Sequence, residues 1–292
     1  MLHGINYPYG EHLVTSGLNI ENNDYLYGGK ELQDRFGVNL YDSGARFQAN
    51  TGAFLSADPM AEKYYGISPY AYCAGNPVNL VDPEGKKVQI FYTENGKTYS
   101  FIFTGKETNI PDNSFVKSFV EAYHYNKDNW EKAGYDGQEP TSRLVERSET
   151  VKVMNSGTAG DRFNDEYKTI YWNHETGMVA DNGVVLSPAT GLAHEADHAN
   201  DFFDNPEIHN TRSNTPDKQY VTAEEKRVIT GSEQKIARAN GEIKKNQKTR
   251  TNHNGTTVIV NGVTSTVINK DRTNEYNNQK KKDEWKSLSS EL

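Results

Sequence analysis

The sequence predicts an α+β protein of two domains, and three observations carry that expectation. Alternating apolar residues flank Asn95-Gly96, which marks a hairpin because a type I′ turn needs positive φ at both central positions, and Asn182-Gly183 marks a second short hairpin. Apolar residues recur at helical spacing in Phe115, Phe119 and Tyr123, and again in Val228, Ile229 and Ile236, as one buried helix face requires. Composition also changes near residue 85, from a zone rich in Tyr, Gly and Asn to a mixed one. A length of 292 residues suits about two domains. The expected boundaries are 1–85 and 86–292, with a polar tail over about 269–292.

The second zone opens with a hairpin. Val88, Ile90 and Tyr92 alternate outward, and Tyr99, Phe101 and Phe103 alternate on the return. A helix follows, capped by Asn113 or Ser114 and stopped by Gly134. Tyr135–Ser142 holds Gly, Gln and Pro and reads as a loop. Val151–Met154 and Thr169–Trp172 read as strands, and Gly177–Leu186 as a second hairpin. Ser187-Pro188 starts a helix running to about Phe203, since Pro at the first helical position gives up only a hydrogen bond that a helix end lacks anyway. Thr222 caps another helix, expected to continue to about Asn240, where Gly241 stops it. Thr256–Ile268, around Asn261-Gly262, reads as a hairpin, and the stretch from Asn269 as a solvated helix or frayed tail.

Composition excludes several classes. No uncharged apolar run approaches the ~20 residues of a membrane span. Met1–Gly10 shows no basic-then-apolar signal segment. The single Cys73 rules out a disulfide framework and a cysteine zinc cluster. A net charge of −8 argues against general nucleic-acid binding. No glycine-rich loop lies between a strand and a helix, so nucleotide binding has no support.

The chemistry lies in Leu192-Ala193-His194-Glu195-Ala196-Asp197-His198-Ala199, an H-E-x-x-H motif on a predicted helix. Residues four apart share a helix face, so His194 and His198 can bind one Zn²⁺ at about 2.0–2.1 Å. Glu195, rotated from that face, reaches the metal's water instead of the metal and serves as its general base. A catalytic zinc site usually has a third protein ligand. Glu225 is the leading candidate, on an inward stripe with Val228, Ile229, Ser232 and Ile236, because an unpaired buried carboxylate is costly. The competing role for Glu225 is a capping box with Thr222. Glu224, expected to point toward solvent, Asp204 and His209 remain alternative ligands.

The first zone contains Tyr27-Gly28-Gly29-Lys30-Glu31-Leu32, Leu40-Tyr41-Asp42-Ser43-Gly44-Ala45-Arg46-Phe47, Gly52-Ala53-Phe54-Leu55-Ser56-Ala57-Asp58-Pro59 and Asn76-Pro77-Val78-Asn79-Leu80-Val81-Asp82-Pro83-Glu84-Gly85. This succession, over residues 5–85, resembles the Rhs-repeat-associated core of Rhs/YD-repeat polymorphic toxins. Gln48-Ala49-Asn50 and Gly75 depart from that pattern in turns. The resemblance implies that a variable toxin domain begins after Asp82-Pro83-Glu84-Gly85, so that residues 86–292 are cargo. It also implies a longer protein with an upstream shell, or a displaced cassette. An exported or cell-surface location, a protein substrate in a target cell and an immunity protein as partner follow from it.

The stretch from about Ile170 to Ala239 resembles zinc-metallopeptidase toxin domains of Rhs-type proteins and, more distantly, injected effector zinc endopeptidases. Leu192–Ala199, Glu225-Lys226-Arg227-Val228 and Glu233-Gln234 carry this likeness, with Val228, Gln234 and Asp197 as departures. The resemblance implies a zincin-like core over about 143–241, with an active-site helix, a second ligand helix and an edge strand that holds substrate extended. The segment Val179–Leu186 precedes the helix and fits that strand. Asp204 lies six residues after His198, where metzincins place a third ligand, but Asp201 stands where that family needs Gly. His174-Glu175 reads as loop, Tyr220 as a candidate oxyanion donor and Cys73 as a small buried hydrophobe. Two other readings stand beside the peptidase: a non-enzymatic cell-surface fragment with incidental histidines, and a zinc hydrolase acting on something other than protein.

Overall fold

The computed structural model describes residues 32–33, 40–43, 45–48, 51–57, 68, 70–71, 87–147 and 149–290. Cys73, Asp82–Gly85 and most of the motif succession before residue 85 lie outside the described residues. The chain divides into two compact units, Met1–Gly85 and Lys86–Leu292. It is an α+β protein.

In the first unit, β1 (Leu32–Gln33), β2 (Leu40–Ser43), β3 (Ala45–Gln48) and β4 (Ala53–Phe54) form an antiparallel meander. Tyr41 and Phe47 stand opposite one another in register, and Phe47 opposite Phe54. All three rings are buried, so the aromatic residues of this zone supply its core by cross-strand pairing.

The second unit is built on a mixed sheet. β5 (Lys87–Glu94) and β6 (Lys97–Phe103) form the expected hairpin, with Asn95 and Gly96 both at positive φ. The long α1 (Ser114–Lys132) follows, its first turn capped by the Asn113 carboxamide, which accepts from Phe115 N–H and Val116 N–H. The segment expected as a loop contains a further helix, α2 (Pro140–Val145). Glu139 caps it, accepting from Thr141 N–H at 2.9 Å and Ser142 N–H at 2.7 Å. Glu is an unusual cap, which is why the start of α2 is hidden in the sequence; Pro140 at the first helical position is the remaining signal.

β7 (Thr150–Asn155), β8 (Arg162–Asn164) and β9 (Thr169–Trp172) complete the sheet in the order β6-β5-β7-β9-β8. β5, β7 and β9 run parallel, and β6 and β8 are antiparallel edges. Val88, Ile90, Val151, Val153, Ile170 and Trp172 are fully buried under α1 and the next helix, together with Phe119 and Leu144. The core that supports the site thus reaches back to β5.

β10 (Thr176–Ala180) and β11 (Val185–Leu186) form the predicted hairpin, with Gly183 at φ 82°. α3 (Pro188–Asp204) is the motif helix, followed by α4 (Pro206–Ser213). A short pair, β12 (Pro216–Asp217) and β13 (Val221–Thr222), leads into α5 (Ala223–Thr230). The helix expected to continue to Asn240 breaks at Gly231 and resumes as α6 (Ser232–Ala239). A Cβ at residue 231 would lie 2.6 Å from the Arg227 carbonyl oxygen, so the break is a close backbone approach that only glycine permits.

The hairpin expected over Thr256–Ile268 is also revised. β14 (Gly255–Ile259) pairs along its length with β10, and its own return is a lone Val260–Ile268 bridge. β10 therefore has neighbours on both sides, so within the segment 179–186 the outer place in this sheet falls to β11. β8 is an edge of the five-stranded sheet and packs beside α3. The polar end forms α7 (Lys270–Ser290), tied to β14 by Thr273 Oγ1, which accepts from Ile259 N–H at 2.9 Å.

Candidate metal centre

α3 is positioned at its N-terminal end and from its buried face. Ser187 Oγ accepts from Thr190 N–H, capping the first turn. Trp172 Nε1 donates to Pro188 O at 2.9 Å, and Asn126 Nδ2 donates to Ala189 O at 2.8 Å. Leu192, Ala196 and Ala199 lie in the core. That leaves His194, Glu195 and His198 on the face toward a cleft of about 640 Å³.

The two imidazoles converge, their Nε2 atoms 3.1 Å apart. Glu225 completes a triangle: Oε2 is 3.4 Å from His194 Nε2 and Oε1 is 3.4 Å from His198 Nε2. Ligands at about 2.0–2.1 Å from a tetrahedral metal stand roughly 3.3 Å from one another, so the spacing is that of a metal's coordination shell. Glu225 Oε2 is buried with no hydrogen-bond partner. An orphaned anionic oxygen beside two imidazole nitrogens fits a cation. His194, His198 and Glu225 can hold a metal ion.

The far nitrogens are held too. His194 Nδ1–H donates to Glu233 Oε2 at 2.9 Å, and His198 Nδ1–H to Glu224 Oε1 at 3.1 Å. This leaves both Nε2 atoms turned toward Glu225, where each offers a lone pair once its proton is displaced, and it raises imidazole basicity. Each of these carboxylates is anchored in turn. Glu233 accepts from Thr249 Oγ1 at 2.6 Å and from Arg250 Nη2 at 2.6 Å. Glu224 accepts from Arg212 Nε and Arg227 Nη2, both at 2.7 Å.

The sequence places Glu224 toward solvent; the structure corrects this, since Glu224 is 2% exposed. Glu225 is the more open of the pair. The two sit about 100° apart on the first turn of α5, so one addresses the imidazole tips and the other the back of His198. The capping-box role is only half made. Thr222 Oγ1 accepts from Glu225 N–H at 3.1 Å, whereas Thr222 N–H goes to Tyr220 O. The Glu225 carboxylate is thereby left to the histidines.

The other sequence candidates separate cleanly. Asp204 is bound by Arg143 and by Arg147, whose Nη1 lies at 2.7 Å, and stands outside the triangle. His209 joins Asp201 and Glu224 in a neighbouring group, but Arg212 and Arg227 already neutralise that group. His174 meets the Phe115 ring edge-to-face and Glu175 pairs with Arg272, as a structural loop would. Tyr220 is buried and lies outside the cleft lining. Asp197, which replaces Gly in the likeness, accepts from Arg227 Nη1 and Ser232 Oγ, tying α3 to α5 and α6.

Protonation follows from this charge density. Burial alone would lower both imidazoles, but the Glu225 and Glu233 carboxylates beside it outweigh that for His194, which rises to about 10. The Glu224 and Glu225 carboxylates do the same for His198, which rises to about 9. Burial would raise Glu225, but the two histidines hold it far below the usual carboxylate range. Glu195 is raised, chiefly by burial and against the pull of His194 and His198. Asp161, in the cleft wall, is pushed up to about 7 by burial and by Glu195.

Several of these groups carry little sequence signal. Arg250 and Asp161 lie in irregular segments far from the motif in sequence. His253 joins the cleft on such a segment, with Nε2 3.5 Å from Glu225 Oε2. Glu233 does show one: it shares a helical stripe with Ile236 and Ala237, all buried.

No family model matches the chain, and no solved structure matches it. Among curated proteins, Salivary gland surface protein 1 of Aedes aegypti is 37% identical over 81 residues. That stretch is 27% of this chain and 2% of that protein, so the chain spans a small fraction of the relative's length. Among the described residues, no helix is long and apolar enough to cross a membrane.

Proposed function

We propose that the chain is a zinc-dependent endopeptidase, carried as the C-terminal cargo of an Rhs-type protein and directed at protein in a target cell. The observation that carries the metal reading is the triangle of His194 Nε2, His198 Nε2 and Glu225, with edges of 3.1, 3.4 and 3.4 Å. Two imidazoles and one carboxylate are a donor set suited to zinc, and three protein ligands leave one position open. Zinc, when bound there, supplies Lewis acidity toward water and a scissile carbonyl.

The protein's own residues supply the rest. Glu195 follows the first histidine, so its carboxylate faces the cleft beside the triangle instead of entering it. Its raised proton affinity suits a group that takes a proton from attacking water and returns it to the leaving amine. Glu233 and Glu224 hold both Nδ1–H groups and so keep both Nε2 atoms oriented toward the metal. The free edge of β8 lies beside α3 and contributes Arg162 and Phe163 to the cleft wall, a place where an extended chain can add by main-chain hydrogen bonds. The Rhs assignment, with its exported location, upstream shell and immunity protein, rests on the motif succession in residues 5–85.

The test is zinc content with peptide-library cleavage for the wild type, His194→Ala and Glu195→Gln. Zinc at one per chain, lost in His194→Ala, supports the site. Glu195→Gln should keep zinc while cleavage falls ~10²–10⁴-fold. Equal zinc in wild type and His194→Ala refutes the site, and undiminished cleavage by Glu195→Gln refutes the mechanism. A non-enzymatic cell-surface fragment is the second reading, favoured by the likeness of 81 residues to a mosquito salivary gland surface protein. It predicts no bound zinc.

A further inference from the structure

Three non-glycine residues among those described have positive φ: Asn95, Lys168 and Val221. Asn is at home there in a hairpin turn, but a β-branched residue at φ 68° is a genuine outlier, because the branched Cβ crowds the backbone. Thr222 N–H donates to Tyr220 O across Val221 at 2.8 Å. That bond, with positive φ at the central residue, is the rare and strained form of the γ-turn.

The strain is held in place from every side. Asp217 Oδ1 accepts from Gln219 N–H at 2.9 Å and Tyr220 N–H at 3.0 Å, while Asp217 Oδ2 pairs with Lys226. Ala223 N–H donates to Thr215 O, and His253 N–H to Gln219 O. The Tyr220 ring is buried on one side of the turn. Backbone strain persists only where the surroundings over-determine it, and it gathers at functional sites.

Its product here is an apolar side chain turned outward. Val221 is 59% exposed, and it lines the cleft that holds His194, Glu195, His198 and Glu225. Packing gives no reason for Val at this position, since most of its surface meets water. Glycine or asparagine would take the same backbone conformation with less cost. The isopropyl group gains a reason if something apolar covers it during turnover.

We propose that Val221 is a specificity-determining residue that contacts an apolar side chain of the peptide substrate next to the scissile bond. The strained γ-turn is the device that presents it on the cleft rim, one residue before the Thr222 cap that orients Glu224 and Glu225. This rests on the peptidase reading, and the experiment separates the two. Full-length wild type and Val221→Asn, both zinc-loaded, are compared for thermal midpoint, zinc content and cleavage of a peptide library. Asn tolerates positive φ, so the variant should melt a few degrees higher and keep one zinc per chain. Loss of one apolar contact typically changes discrimination by ~10–200-fold. The preference of wild type for apolar over polar residues at one position should therefore fall at least tenfold in kcat/KM. An unchanged cleavage profile, or a lower thermal midpoint, overturns the role given to Val221. Wild type that holds zinc and cleaves no library peptide overturns the peptidase reading, and this inference with it.

Discussion

Glu233 offers the sharpest test of how the site is held. Its carboxylate is 2% exposed and carries three partners: His194, Thr249 and Arg250. Glu233→Gln keeps the shape and one acceptor oxygen but removes the charge. Arg250, itself 6% exposed, is then a buried cation without its carboxylate, a loss that costs about 3–5 kcal/mol. The lowered proton affinity of Glu233 points in the same direction. Burial would raise it, but His194 and Arg250 hold it at about 2, against 4.5 for the free group. A difference of that size is worth roughly 3 kcal/mol of stability, present above pH ~4.5 and lost as pH falls toward 2. For a unit of this size each kcal/mol moves the midpoint by roughly 2–4 °C, so the metal-free variant should melt about 6–20 °C lower.

Zinc affinity should fall separately, by about 10–100-fold, because His194 loses the anion that orients it. Glu233→Gln with Arg250→Met distinguishes the two effects. Replacing a whole buried ion pair by shape-matched residues is often close to neutral. The double variant should therefore regain most of the midpoint and still bind zinc weakly. Calorimetry of metal-free protein and chelator competition for zinc measure each arm. If Glu233→Gln melts like wild type and binds zinc as tightly, the reasoning about this pair is wrong.

Much of the fold near the site is legible in local chemistry. Asn95-Gly96, Asn113, Gly134 and Ser187-Pro188 each act through their own backbone geometry, and each appears where the sequence puts it, whereas in Asn182-Gly183 only the glycine has positive φ. What escapes is decided by contacts distant in sequence. β14 reads as half of a local hairpin because Asn261-Gly262 follows it, yet its partner is β10, some eighty residues earlier. Gly231 reads as an ordinary helical residue because the approach of the Arg227 carbonyl that requires it is a property of the folded backbone. Glu139 caps α2 in a role that Ser, Thr, Asp and Asn usually fill.

The site divides the same way. His194, Glu195 and His198 are bound together by helical period, and the inward stripe singles out Glu225. Periodicity fails for Glu224. Its burial depends on Arg212, in α4, and on Arg227, and α4 shows only a start signal, Asn205-Pro206, with a single buried residue and no apolar stripe. An acidic residue reads as surface until its cations are known, and here both arrive through tertiary packing.

Three further outcomes follow from charge, domain division and helix capping. In the metal-free protein His194 and His198 titrate near 10 and 9, so zinc must displace up to two protons at neutral pH. Apparent zinc affinity should fall by nearly 100-fold per pH unit between pH 8 and 6, and a pH-independent affinity would refute the protonated pair. The sign for stability is opposite: the raised histidines stabilise the metal-free fold fully below pH ~6.5, and that contribution disappears as pH rises through 9–10. Residues 86–292, expressed alone with zinc, should show one cooperative thermal transition, because that unit contains its own sheet, helices and core; an unfolded product refutes the division. Thr222→Ala removes the acceptor for Glu225 N–H at the first turn of α5, a loss typically worth about 1 kcal/mol, or roughly 2–4 °C. Because that turn also aims Glu225 at His194 and His198, zinc should bind more weakly as well, and Thr222→Ser, which keeps the hydroxyl, should restore both. A Thr222→Ser variant that binds zinc no better than Thr222→Ala would mean that the cap does not set the ligand, and that Glu225 is held at the triangle by the histidines alone.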